Sequence, residues 1–191
     1  MRSEMNQLIE DERNVHVLYA FNGTENYINQ ILTYIEDGIA ANDHILLVEN
    51  ERVSRVLQKE LSTPRFSAQQ LELVHYVNSF QFYWSSGSYH PPAIQEYFTK
   101  MIQPYVENNQ AFRSWAHVEW ESVKEPLHLI EDFEKIVDEA VNAYSFPLIC
   151  AYEKKQMPEH LQTILMETHP YVLMEDSFVV SDQYRPVDAA K

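Results

Sequence analysis

Three residues that could do chemistry, Arg113, His117 and Glu119, lie at alternate positions of one short run, Arg113 to Trp120. Read as a strand, the run puts Arg113, Trp115, His117 and Glu119 on one face and Ser114, Ala116, Val118 and Trp120 on the other. A central parallel strand is normally apolar on both faces, so polar groups there need partners or a cavity. Two readings are open. In one, the face lines a ligand pocket, with Glu119 and Glu121 at the strand's carboxyl end, where open α/β sheets bind ligands. In the other, the strand lies near a wet sheet edge, or Arg113 and Glu119 are satisfied within a network. The same carboxyl edge would carry Glu25, Glu49, Asn78 and Glu153, whose acids could take a cationic ligand or divalent ion or simply form a charged rim.

An aromatic stretch, Phe80 to Tyr89, is the second unusual feature. Exposed, Tyr83, Trp84 and Tyr89 would anchor a partner or cover a pocket. Buried, they would pack the crossover that follows the third strand.

Other chemistries find less support. The turn after the first strand, Phe21-Asn22-Gly23-Thr24-Glu25, has no lysine and places an acid where a phosphate loop would hold its anion. The chain's three glycines, Gly23, Gly38 and Gly87, are too dispersed for a dinucleotide fingerprint. Glu49, ending the second strand, could hold a ribose as in a methyltransferase, but no glycine-rich turn accompanies it. There is no nucleophile elbow. The eight histidines include no i, i+4 pair, so a metal site could arise only from distant segments. Cys150 is the sole cysteine, which excludes an internal disulfide, and its apolar run reads it as a buried, inert thiol. Neither a metal nor a cofactor is expected.

These groups must be positioned by alternating strands and helices, the pattern of an α/β domain with a mostly parallel sheet and helices on both faces. Strands are predicted at Val15–Phe21, Ile45–Glu49, Leu71–Val77, Arg113–Trp120 and Phe146–Tyr152. Asn22 with Glu25 resembles a capping box for a helix whose stripe is Ile28, Ile31, Leu32, Ile35 and Ile39. Asn50 is the expected cap of the next helix, with Val53, Val56, Leu57 and Leu61 inward. Pro91-Pro92 opens a helix to about Asn108, kinked or stopped at Pro104. The clearest amphipathic helix runs from Leu129 to Tyr144. Tyr171–Leu173 and Phe178–Val180 suggest a C-terminal hairpin. One domain, residues 14–185, is expected between a 1–13 extension and a 186–191 tail.

The net charge of −15 repels phosphate backbones and anionic lipid, so neither nucleic acid nor a membrane is an expected partner. Residues 1–13 carry six charged side chains and no apolar stretch, unlike a secretory signal, and a cytoplasmic location is expected.

Several pieces in order resemble the MEDS family, the methanogen and methylotroph DcmR-type sensory domain: His16, Tyr34 to Ile39, Tyr83 with Gly87-Ser88-Tyr89 and Pro91, Arg113 and Trp120, Phe133-Glu134, Leu148 to Glu153, and His169-Pro170. The resemblance covers about residues 14 to 185. It implies a RecA/KaiC-like fold that has lost its phosphate loop, and sensing rather than catalysis. Glu49 then falls where active ATPases of that core keep a catalytic carboxylate. His117, Glu153 and Asp138 depart from the family's usual acid, Asp and Asn. The expected function is a non-enzymatic sensory domain that binds a small ligand through Arg113, Glu119 and Trp120, with His16 and Glu134 as a supporting shell. It would signal to a regulatory protein, such as a histidine kinase or transcription regulator, with Tyr83, Trp84 and Tyr89 on the partner face and a homodimer as one assembly. The alternatives are an acidic protein-interaction module without a small ligand, and a degenerate ATPase or metal-dependent enzyme.

Overall fold

Each apolar run of β-branched and aromatic residues becomes a strand, and each helix-period segment a helix covering the sheet. The structure, a computed structural model, describes residues 4–119, 127–175 and 177–186. The strands are β1 (His16–Phe21), β2 (His44–Glu49), β3 (Val74–Asn78), β4 (Phe112–His117), β5 (Leu148–Glu153), β6 (Tyr171–Leu173) and β7 (Phe178–Val180). They form one sheet in the order β3-β2-β4-β5-β1-β6-β7. Every pairing is parallel except β6 with β7, the expected terminal hairpin.

The helices are α1 (Glu4–Asp11), α2 (Thr24–Ala41), α3 (Glu51–Leu61), α4 (Ala68–Leu71), α5 (Ser79–Tyr83), α6 (Pro91–Glu107), α7 (Leu127–Tyr144) and α8 (Glu159–Thr168). Alternation within the strands sorts the core into two layers. Val17, Tyr19, Ile45, Leu47, Trp115 and Ile149 face α1, α2 and α3. Leu18, Leu46, Val48, Ala116, Cys150 and Tyr152 face α5, α6, α7 and α8.

Three local expectations change. The 1–13 extension contains α1, whose Met5 and Ile9, one turn apart, bury into the first layer, so it packs as part of the domain. The cap of α2 is Gly23 at φ 75°, without a side-chain bond, in place of the expected Asn22 box. Val56 of α3 is 39% exposed. Pro104 sits within α6, which runs on to Glu107, about as far as expected. Asn50 does cap α3, accepting from the Val53 N–H at 3.0 Å.

β4 lies between β2 and β5 and is buried along its whole length, so the wet-edge reading fails. Its polar residues have partners, although Arg113 Nη1 is buried without one. Arg113 Nε and Nη2 both reach Asp43 Oδ2 at 2.8 Å, and the guanidinium lies 5.2 Å from the Tyr34 ring centroid. Arg13 joins the same Asp43 oxygen at 2.9 Å and donates to the Phe112 carbonyl at 2.8 Å. Gly38 lets α2 approach this corner, because a Cβ there would meet Ile45 Cγ1 at 2.6 Å.

Candidate functional site

Chain direction creates the crevice. From β1 through β2 to β3 the strands progress one way across the sheet, with α2 and α3 on one face; from β3 onward they return, with α6, α7 and α8 on the other. β2 and β4 are therefore neighbours whose following helices, α3 and α7, lie on opposite faces. Open α/β sheets bind ligands beyond the carboxyl ends of such a pair.

Here the pair ends in Glu49-Asn50 and in His117 to Glu119. Glu49 is fully buried and held from three sides: Tyr27 OH donates to it, the Asn50 N–H donates at 2.9 Å, and His117 Nδ1 lies 3.2 Å away. Trp115 Nε1 in turn donates to Tyr27 OH at 3.0 Å, tying this network to the core. Burial pulls the His117 pKa down, but the hydrogen bond to Glu49 and the charges of Glu49, Glu119 and Glu153 outweigh it, leaving it above the ordinary 6.5.

Glu119 forms the outer half. Its Oε1 accepts from Ser79 Oγ at 2.6 Å and its Oε2 from Asn50 Nδ2 at 3.3 Å. These residues floor a cleft of about 370 Å³ whose wall includes Tyr83, Trp84 and Phe80. Trp84 and Phe80 stack with centroids 6.1 Å apart, and Phe80 is 55% exposed. The other charged residue on the lining is Glu51; neither Lys nor Arg is among the described lining residues. Such a site offers acceptors and an aromatic face, the complement of a small cation or hydrogen-bond donor.

The expected site residues divide. Arg113 is not in this cleft: it sits at the amino end of β4, six residues and about 20 Å of strand from Glu119. Its fully buried guanidinium, expected to bind a ligand, instead faces Asp43. Trp120 and Glu121 lie outside the described residues. Glu119 is in the cleft. Tyr83 and Tyr89 are 1% and 6% exposed, stacked 5.7 Å apart and packed edge-on to Phe133. Burial removes both from a partner surface, leaving Trp84 half-buried at the cleft. Sequence reading missed Asn50 and Ser79, whose signal was their place just beyond β2 and β3.

His16 and Glu134 meet elsewhere, beneath the α7 face. Glu134 and His169 are fully buried, and His16 Nε2 and His169 Nε2 each lie 3.4 Å from Glu134 Oε2. Cys150 Sγ is 3.5 Å from His16 Nε2, so the thiol expected to be inert stands in a polar cluster. Burial, reinforced by the Glu134 charge, pushes this thiol well above its ordinary pKa. Burial and the neighbouring His16 hold His169 down at about 3. His16 is raised despite burial, by its bonds to Asp138 and Glu134.

A search of curated protein sequences gives no match. A solved structure of an ATPase domain superposes with a TM-score of 0.54 at 11% identity, covering 84% of this chain and 69% of that one, a likeness of fold. The family profile described as "MEthanogen/methylotroph, DcmR Sensory domain" matches residues 15–170, most of the chain. With this matching span, the chain belongs to the MEDS family of sensory domains.

Proposed function

We propose that this sensory domain binds a small organic cation in the cleft beyond β2 and β4 and passes its occupancy to a regulatory protein. One observation carries the reading: the Glu119 carboxylate, oriented by Ser79 and Asn50, faces an aromatic wall in a cleft without a described basic residue. Carboxylate and aromatic faces together favour a cation with apolar surface, and each cation–π contact adds about 0.5–2 kcal/mol. The Glu49–His117 pair beneath couples the cleft to Tyr27 and Trp115 of the core, a path by which occupancy reaches the far face.

The reading is of binding without turnover. Gly23 leads into α2 with Glu25 in its first turn, a poor cradle for phosphates. A cytoplasmic setting and a partner such as a histidine kinase or transcription regulator belong to this proposal. Among the described residues no helix is long and apolar enough to cross a membrane. A second reading, a protein-interaction module, draws on the exposed Phe80 and on Val180, 73% exposed on edge strand β7. It predicts partner binding without a small ligand, weakening steeply with salt.

Saturation-transfer NMR of the full chain separates the two, with tetramethylammonium and trimethylammonium as probes and tert-butanol as a neutral isostere. The cations are expected to show transfer, weakened about tenfold by Glu119→Gln and by Trp84→Ala. Equal signals from tert-butanol, or indifference to Glu119→Gln, would reject the cation site.

A further inference from the structure

We propose that His16 Nε2, His169 Nε2, Cys150 Sγ and Glu134 Oε2 form a buried four-coordinate site for a divalent transition-metal ion of the zinc class. The four donor atoms lie within 4.8 Å of one another. Tetrahedral zinc, with bonds of roughly 2.0–2.3 Å to nitrogen, oxygen and sulfur, spaces its donors about 3.3–3.8 Å apart. Three of the six donor separations are 3.4, 3.4 and 3.5 Å, within that range before any ion draws them in.

The surroundings orient the donors inward. His16 Nδ1 is 3.1 Å from Asp138 Oδ1, and Asp138 Oδ2 accepts from Tyr184 OH at 2.8 Å. His169 Nδ1 is 2.9 Å from the Leu165 carbonyl. Protons on the two Nδ1 atoms leave both Nε2 lone pairs aimed at the centre, the arrangement by which carboxylates and carbonyls set metal-binding imidazoles. Tyr152 OH donates to Glu134 Oε1, leaving Oε2 inside. Glu134 Oε2 and His169 Nε2 are fully buried and face each other at 3.4 Å without a well-formed hydrogen bond. Lone pairs facing one another in a dry interior repel unless a cation lies among them.

Thiolate and imidazole donors suit zinc-class ions better than magnesium or calcium. With four protein donors the site is closed, so its role is to hold α7 and the turn after α8 against β1 and β5. A single proton on His16 is the competing way to relieve the repulsion. The His44–His75 pair, with Nδ1 and Nε2 3.0 Å apart near the amino edge, is the competing place for an added metal.

The test uses the full chain, stripped of metal and titrated with cobalt(II), which reports thiolate ligation by a charge-transfer absorption. The expected result is one equivalent bound with that band, the band lost in Cys150→Ser and kept in His75→Ala. At about a hundredfold zinc excess over Kd, the unfolding midpoint should rise by about 5–10 °C. Glu134→Gln, nearly isosteric, serves if Cys150→Ser fails to fold, and should weaken binding at least about tenfold. No bound metal and no midpoint shift would mean that a proton alone satisfies the cluster, and would overturn the proposal. So would cobalt binding that survives Glu134→Gln and Cys150→Ser but disappears in His75→Ala. This site and the organic-cation cleft use different residues, so either can fail without the other.

Discussion

Asp43 is the residue whose loss should cost most for its size. It is 2% exposed and faces two arginines, Arg113 with two nitrogens at 2.8 Å and Arg13 at 2.9 Å. In Asp43→Ala, Arg13 can turn to solvent, because its side chain is 29% exposed. Arg113 cannot, being fully buried between α2 and β4, so among the described residues its charge is left with the Tyr34 ring. Removing one member of a buried pair costs about 3–5 kcal/mol, or about 6–20 °C in unfolding midpoint for a chain of this size. Arg13→Ala should cost less, about 1–2 kcal/mol, for one partly exposed ion pair and one bond to the Phe112 carbonyl. The double variant Asp43→Leu/Arg113→Met removes both buried charges and should recover most of the stability lost in the single variant. Urea unfolding of the four proteins gives the comparison directly. If Asp43→Ala cost under about 1 kcal/mol, or the double variant were no more stable than the single, the reasoning would fail and Arg113 would have a partner other than Asp43.

Two further outcomes follow from the same corner and from the cleft. Gly38→Ala, which in an ordinary helix interior would gain about 1 kcal/mol, should instead lose about 1–3 kcal/mol because the new methyl meets Ile45 Cγ1 at 2.6 Å; a stabilised variant in thermal unfolding would refute this. The His117 ring should titrate by NMR above 6.5. Because its folded pKa is raised, its stabilisation is complete below about pH 6.5 and is lost as pH rises through the folded value, a dependence that His117→Gln should abolish.

The parallel sheet was legible because β1, β2 and β5 are short apolar runs between helix-period segments, and α7 carries an uninterrupted stripe. α1 was hidden because Met5 and Ile9 are its buried apolar contacts amid charged neighbours, too few for a periodic signal. β3 begins at Val74, three residues later than expected, because Ser67 and Gln70 form a capping box that makes Ala68 to Leu71 helical. Alternation put Arg113 and Glu119 on one face, but β4 ends at His117, and Glu119 turns to Ser79 at the start of α5. Arg113's partner, Asp43, is distant in sequence and joined through the β2–β4 register. The buried cluster was illegible for the same reason: His16, Glu134, Cys150 and His169 come from β1, α7, β5 and the end of α8, and only the strand order unites them. Tyr83 and Tyr89 resemble exposed anchors by composition, and only their packing on Phe133 shows them as core.

The central claim, a sensing site beyond β2 and β4, is tested most directly by titrating isotope-labelled protein with tetramethylammonium and following its amide and indole N–H resonances. The account predicts saturable shifts at Asn50, Ser79, Trp84 and Glu119, with a single affinity that Glu119→Gln weakens. Shifts confined to β6 and β7, or none up to tens of millimolar probe, would contradict it.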